Sequence, residues 1–290
     1  MNKPKDHIFI VGDGEPTYRV ACNMLNAGQE TVLLTARHAE ARTEITQAGC
    51  KNTHLLTLLV DWPATITCSV AVAITGENAA VKLSVIHQLA CRLDNDAIIA
   101  VNTESIPLDE LQAADVAHPG RILGLNWCYP AELTFFLEIV ANEQSVPQYV
   151  NRLATIGREV WGKDPYIVHG GFSVRARMMA AWVREAMYLV QNGHASVESI
   201  DRACRNDAGY YLTFAGNFRY MDLMGTYAYG MVMKDLNPDL SKMTDIPSGI
   251  EGQLATYTSH DSEVRKATLS QFSKEIRQLI LKYPHEALDC

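Results

Sequence analysis

The sequence predicts an α/β domain over residues 1–169 and an all-helical domain over 170–290. Three observations carry that expectation. Strand-like and helix-like stretches alternate from residue 7 onward, the pattern of a parallel sheet with crossover helices. The first strand–turn–helix–strand unit takes about thirty residues, the length of a βαβ unit. After residue 170 the strand pattern stops, and apolar residues recur only at helical spacing.

The elements follow in order. HIFIVG (7–12) is a strand, Asp13 to Pro16 a turn, and Pro16 suits the first turn of a helix. Val20, Met24 and Leu25 give that helix its apolar side, and Gly28 stops it. TVLLT (31–35) is the second strand, and a short helix covers about 38–48. SVAVAIT (69–75) and AIIAV (97–101) are uninterrupted apolar runs, the type buried on both faces of a parallel sheet. Between them Val81, Val85, Ile86, Leu89 and Leu93 form one helix face. ILGLNW (122–127) and TFFLEIV (134–140) are two short strands joined by a turn containing Pro130. A helix over 147–160 and a strand at PYIV (165–168) close the domain.

In the second domain Val174, Met178, Trp182, Ala186 and Val190 mark one long helix. Ser196 reads as the N-cap of the next, which runs to about Arg205. A helix around 217–234, a loop over 237–253 and a closing helix with Val264, Phe272, Ile276 and Leu279 on one side complete it. A helical domain of this size is expected to pack against a twin chain, so a homodimer is the default.

Composition bounds the function. Hydrophobic content of 48% and charged content of 20% describe an ordinary globular protein. A net charge of −8 and the lack of any basic run argue against a nucleic-acid partner. No apolar stretch reaches the roughly 18–20 residues of a spanning helix. MNKPKDHIFIVGDG enters a strand at once and reads as no cleavable leader. The seven cysteines form no CxxC pair, which fits reduced thiols in a cytoplasm and suggests no metal centre. Cys128 has no His close to it in sequence, so a structural thiol is expected there.

The segment VGDGEPT, after a strand and before a helix, is similar to the dinucleotide fingerprint GxGxxG. Gly12 would make the tight turn, Gly14 would let the backbone approach a pyrophosphate, and Thr17 holds the third position. NAD-binding domains usually place a carboxylate at the end of the second strand for the ribose hydroxyls. Here that place holds Thr35-Ala36-Arg37-His38. NAD is the expected cofactor, and the missing carboxylate with Arg37 and His38 nearby keeps NADP as an alternative.

Several blocks together resemble the L-3-hydroxyacyl-CoA dehydrogenase family. They are Glu77-Asn78 followed by Lys82, then Asn102-Thr103-Glu104-Ser105, then GLNWCYPAELTFFLEIV (124–140), then SVESIDRA (196–203). The spacing of Gly209, Gly216, Phe218 and Asp222 is similar to the branch containing lambda-crystallin, L-gulonate dehydrogenase and carnitine dehydrogenase. The resemblance implies a Rossmann-like first domain, with Gly12, Gly14, Thr17, Thr35, Arg37, Glu77, Lys82 and Asn102 on the cofactor side. It implies hydride transfer between NAD and the C3 carbon of a 3-hydroxyacyl group. A His would remove the hydroxyl proton, and a Glu twelve residues later would orient it.

Here Glu138 is present and Asn126 stands at the His position. An imidazole accepts a proton near neutral pH; a carboxamide does not, and can only donate and accept hydrogen bonds. General acid–base assistance is worth about 10²- to 10⁴-fold in rate. Glu104 replaces the first Ser of the family's Asn-Thr-Ser-Ser block, and Ser105 keeps the second. Tyr129 replaces an Asn before Pro130, and the helical hairpin many acyl-CoA members carry before SVAVAIT is missing.

The catalytic candidates are therefore Glu138, Asn126, Glu104 and Ser105. Asn126 and Glu138 read either as a hydrogen-bonding pair beside the nicotinamide or as a structural pair. Glu138, if burial raises its pKa toward neutrality, Glu104 and His169 are the candidates to replace the base, and Arg175 or Arg177 could bind a substrate carboxylate or form a salt bridge. Two functions stay open. One is an NAD(P)-dependent oxidoreductase acting on a small 3-hydroxy acid or 3-hydroxyacyl thioester. The other is a catalytically impaired homologue that binds a dinucleotide or metabolite as a sensor or structural protein.

Overall fold

Runs such as IFIV, VAVA and IIAV bury every residue, which requires cover on both faces. In the computed structural model, which describes residues 7–114, 116–210, 212–213, 216–218, 231, 242 and 262–282, they lie in one sheet. Its strands are β1 Ile8–Val11, β2 Thr31–Leu34, β3 Leu56–Leu59, β4 Val70–Ala73, β5 Ile98–Val101, β6 Ile122–Trp127, β7 Phe136–Val140 and β8 Asp164–Val168. Their order is β3-β2-β1-β4-β5-β6-β7-β8. All pairings are parallel except β6 with β7. The chain leaves β1 toward β2 on one side and returns to pair β4 on the other. The carboxyl ends of β1 and β4 thus form a switch point, where open α/β sheets take ligands.

Helices α1 Glu15–Asn26, α2 His38–Gln47, α3 Ala79–Ala90, α4 Leu108–Gln112 and α5 Pro147–Glu159 alternate with the strands. Alternate residues of each strand feed two separate cores. Ile8, Ile10, Leu33, Val70 and Val72 join Val20, Met24 and Leu25 of α1 in one. Phe9, Val11, Ala71, Ala73 and Val101 join Ile86 and Leu89 of α3 in the other. Each large apolar side chain buried this way contributes about 1.5–3 kcal/mol.

Two elements differ from the sequence reading. β3 was not expected; it is an edge strand with no fully buried residue, and Thr57 interrupts its short apolar run. Helix α4 has five residues, too few for a helical period to show. The long helix after residue 170 is α6 Val174–Gln191. Ser196 caps α7 Val197–Ala203 by accepting a hydrogen bond from the Ser199 amide at 3.1 Å, and a π turn over Cys204–Ala208 follows. The closing helix is α8 Ser262–Lys282. Most of the helix expected at 217–234, the loop at 237–253 and Asp222 lie outside the described residues. The chain divides into two units, Met1–Ala176 and Arg177–Cys290.

Candidate functional site

The turn after β1 is built around two glycines with positive φ, 150° at Gly12 and 88° at Gly14. A Cβ on Gly12 would stand 2.1 Å from the Ile74 carbonyl oxygen, so no side chain fits between β1 and β4 there. A Cβ on Gly14 would meet only Pro16 Cδ at 3.8 Å, so that side of the turn is open. Gly14 is the N-cap of α1 and supplies no side chain to the first-turn amides. An uncapped helix start with open backbone beside it suits a pyrophosphate. Thr17 is buried and donates to the Asp13 carbonyl at 3.2 Å, which ties the third fingerprint position back to the turn.

A cavity of about 380 Å³ opens beside this turn. Gly12, Asp13, Thr35, Trp62, Gly76 and Val81 are among its lining. Thr35 is buried at the end of β2 and donates to Asp13 Oδ1 at 2.5 Å. The Ala36 amide donates to the same oxygen at 3.0 Å. The exposed Arg37 guanidinium pairs with Glu40 at 3.4 Å. Asp13 was read from sequence only as a turn residue. Its partners are 22 and 23 positions away, and a missing carboxylate at the end of β2 was the one available signal.

Lys82, Glu77 and Asn102 come together at the ends of β4 and β5. The fully buried Lys82 ammonium donates to the Asn102 carbonyl at 2.6 Å and to Asn102 Oδ1 at 3.0 Å, and pairs with Glu77 Oε2 at 3.3 Å. Burial lowers its pKa, while Glu77 acts in the opposite direction. Asn102 spans to the next strand end: its Oδ1 accepts from the Thr75 amide and its Nδ2 donates to the Thr75 carbonyl, both at 2.9 Å. Glu77 Oε1 accepts from the amides of Glu104, Ser105 and Ile106 at 2.8, 2.8 and 3.2 Å. Burial pushes the Glu77 carboxyl up, but these three amides and Lys82 outweigh it and hold the pKa below the usual range. Ser105 Oγ also donates to Glu77, at 3.3 Å, so both groups of that residue face the same carboxylate.

The antiparallel turn through Pro130 sets Asn126 directly opposite Glu138, and β8 sets Tyr166 next to Glu138. Register alone therefore lines up three polar side chains across β6, β7 and β8. Glu138 is fully buried and accepts four hydrogen bonds. Oε1 takes the Tyr166 hydroxyl at 2.8 Å and the Arg175 amide at 3.0 Å. Oε2 takes Asn126 Nδ2 at 2.8 Å and Ser173 Oγ at 2.6 Å. Burial raises its pKa, and the four donors more than reverse that, so it is an ionised carboxylate well below neutrality. Burial and the adjacent carboxylate push the Tyr166 phenol upward.

Asn126 is 2% exposed and equally committed. Its Nδ2 donates to the Thr103 carbonyl at 2.7 Å as well as to Glu138, and its Oδ1 accepts from the Thr103 amide at 2.8 Å. Both amide hydrogens are used inside the protein. Glu104 is exposed and ion-paired with the Arg175 guanidinium, which also lies 5.7 Å from the Phe136 ring. Exposed His169 follows β8. The structure thus brings together Asn126 with Glu138, Glu104 with Arg175, and Ser105 with Glu77. Tyr166 and Ser173 join Glu138 without having been expected, because nothing in their local sequence marks them.

Two family models together match most of the chain. Residues 17–170 match the NAD-binding domain of 3-hydroxyacyl-CoA dehydrogenase, and residues 171–259 match its C-terminal domain. The chain belongs to the 3-hydroxyacyl-CoA dehydrogenase family. The NAD-binding match extends over β2 to β8, so NAD is the cofactor of this domain. Among curated proteins, a 5-formyl-3-hydroxy-2-methylpyridine 4-carboxylate 5-dehydrogenase of Mesorhizobium japonicum is 31% identical over 173 residues, 59% of this chain and 55% of that protein. The 3-hydroxyadipyl-CoA dehydrogenase of Escherichia coli is 26% identical over 211 residues, 72% of this chain and 43% of that protein. The matches thus span about half the length of these relatives. In solved structures, a 5-formyl-3-hydroxy-2-methylpyridine 4-carboxylic acid 5-dehydrogenase described as an NAD⁺-dependent dismutase has the same fold. It gives a TM-score of 0.80 at 22% identity, covering 95% of this chain and 97% of that one. A 3-hydroxyacyl-CoA dehydrogenase from Archaeoglobus fulgidus gives 0.70 at 18% identity, covering 97% and 99%. No described helix is long and apolar enough to cross a membrane.

Proposed function

We propose that this family member is an NAD-dependent oxidoreductase that acts on a small 3-hydroxy acid or 3-hydroxyacyl thioester without a general base at position 126. The observation that carries the reading is the switch-point cradle. Gly12 and Gly14 leave the start of α1 open and uncapped beside the 380 Å³ cavity. Gly12, Gly14 and the α1 amides would hold the pyrophosphate, with Thr17 bracing the turn. Thr35 and Arg37 stand on the adenosine side. Lys82, Glu77 and Asn102 would border the nicotinamide.

NAD⁺, when bound, supplies the hydride acceptor. In this reading Glu138 keeps Asn126, Ser173 and the start of α6 in place and takes up no proton. Glu104 and Ser105 sit on the loop pinned by Glu77 and face the substrate side. A small carboxylate-bearing substrate agrees with the pyridine carboxylate named for the Mesorhizobium relative and with the absent acyl-CoA hairpin. A homodimer in the cytoplasm is part of the proposal.

One observation favours a second reading. Asn126 has no titratable group, and both its amide hydrogens are committed to Thr103 and Glu138. A homologue that binds NAD as a sensor or structural ligand, without turnover, would tolerate that arrangement. The test is a titration with NADH, followed by NAD⁺ reduction on a panel of 3-hydroxy acids, acyl thioesters and carboxylate-bearing aldehydes. Saturable binding with NADH formation supports the first reading. Binding without turnover on the panel favours the second. Absence of binding at millimolar NADH removes both.

A further inference from the structure

NAD-binding domains usually carry an acidic side chain at the end of the second strand, about 20 residues beyond the glycine turn, where it accepts hydrogen bonds from the ribose hydroxyls. This chain has Thr35 and Ala36 there. Another carboxylate reaches the same place. Asp13, the middle residue of Gly12-Asp13-Gly14, is held against the end of β2 by the Thr35 hydroxyl at 2.5 Å and the Ala36 amide at 3.0 Å. Both donors go to Oδ1. Oδ2 has no hydrogen-bond partner among the described residues, and the residue is exposed in the lining of the 380 Å³ cavity.

We propose that Asp13 supplies the ribose-binding carboxylate from within the glycine turn, and that it selects NAD against NADP. This inference rests on the cofactor reading above. Thr35 and Ala36 orient the group, as a short side chain and an amide can. They leave one oxygen to accept from the ribose hydroxyls. A 2′-phosphate would bring further negative charge next to a carboxylate held in place by two hydrogen bonds. Of the two basic residues that follow Thr35 in sequence, Arg37 is paired with Glu40 and points its 62%-exposed side chain to solvent.

Replacing the carboxylate by its amide separates charge from shape. In Asp13→Asn the side-chain oxygen still accepts from Thr35 and Ala36, while the charge and the second acceptor are lost. The readout is calorimetric Kd for NADH and NADPH, with no turnover required. The wild type is expected to bind NADH at least about tenfold more tightly than NADPH. In Asp13→Asn the NADH affinity falls about tenfold, the loss of one charge-assisted hydrogen bond, and the two cofactors come within about threefold of each other. Asp13→Ser serves as a second variant with the same expected convergence. Equal wild-type affinities overturn the proposal before any variant is made. An unchanged NADH-to-NADPH ratio in the variants overturns it as well. Both results leave NAD binding itself intact, whereas a wild type that binds neither cofactor refutes the underlying cofactor reading instead.

Discussion

Glu138→Gln tests whether the buried carboxylate is ionised and serves as an acceptor for four donors. In the wild type each oxygen receives one hydroxyl and one nitrogen donor: Tyr166 and the Arg175 amide at Oε1, Ser173 and Asn126 Nδ2 at Oε2. A glutamine must put its NH₂ at one of the two places. A hydroxyl there can rotate and accept, but the nitrogen donor cannot. Either orientation therefore strands one buried N–H. That costs about 1–3 kcal/mol, and the remaining bonds lose their charge assistance. Relief of the buried charge offsets part of this, and the expected net loss is about 2 kcal/mol. Urea unfolding followed by tryptophan fluorescence reads it, because Trp62, Trp127 and Trp161 all lie in the first unit. The midpoint should fall with an unchanged slope. A loss under about 0.5 kcal/mol would refute the argument, because a protonated Glu138 would tolerate the amide in the same way.

The remaining predictions concern the same network. Glu77 and Glu138 both have folded pKa values below the ordinary carboxylate value, so the stability they contribute is present above that value and is lost as pH falls through the folded pKa. The urea midpoint should thus be flat from pH 7 to about 5 and decline below about pH 4.3, where unfolded glutamates take up protons first. Glu77→Gln puts an NH₂ against three amides of the 104–106 loop or against Lys82, and NADH affinity should drop about tenfold by calorimetry. Asn126→His restores an imidazole beside Glu138 but leaves the Thr103 amide and carbonyl without their partner, at a cost of about 1–3 kcal/mol in stability. Its initial rate of NAD⁺ reduction on a 3-hydroxy acid or acyl thioester should rise; no rise would mean that the site differs in more than its base.

What the sequence discloses depends on how far apart the interacting residues lie. β1, β4 and β5 are legible because both faces are buried and every residue is apolar. β3 is not, since Thr57 interrupts its short apolar run and no residue of this edge strand is fully buried. The opposition of Asn126 and Glu138 is legible because a hairpin converts sequence spacing directly into cross-strand pairing. Tyr166 and Ser173 arrive from a later strand and from the start of a helix, so no spacing rule points to them. The same holds for Asp13. A search for the acid about 20 residues beyond the turn finds Thr35 and stops. The acid is inside the turn, and only the folded chain shows the Thr35 hydroxyl reaching it.

Three of the carboxylates at this end of the sheet share one feature: each accepts from at least one backbone amide. Asp13 takes Ala36, Glu77 takes Glu104, Ser105 and Ile106, and Glu138 takes Arg175. Each therefore fixes a loop or helix start, and this task remains whatever chemistry occurs beside it. Where the family resemblance puts a His at position 126, that accounts for an asparagine standing there beside Glu138. Orienting a His needs one acceptor from the carboxylate; the other three hydrogen bonds hold Ser173, Tyr166 and the first turn of α6. An asparagine satisfies the shared oxygen equally well, and it adds a two-point bond to Thr103 that ties the end of β6 to the loop after β5. The pair at 126 and 138 is thus a bracket between the two halves of the site. In the proposed reaction, the proton that accompanies hydride transfer would move through a group other than these two, because one has no titratable group and the four donors around the other keep it ionised in the neutral range.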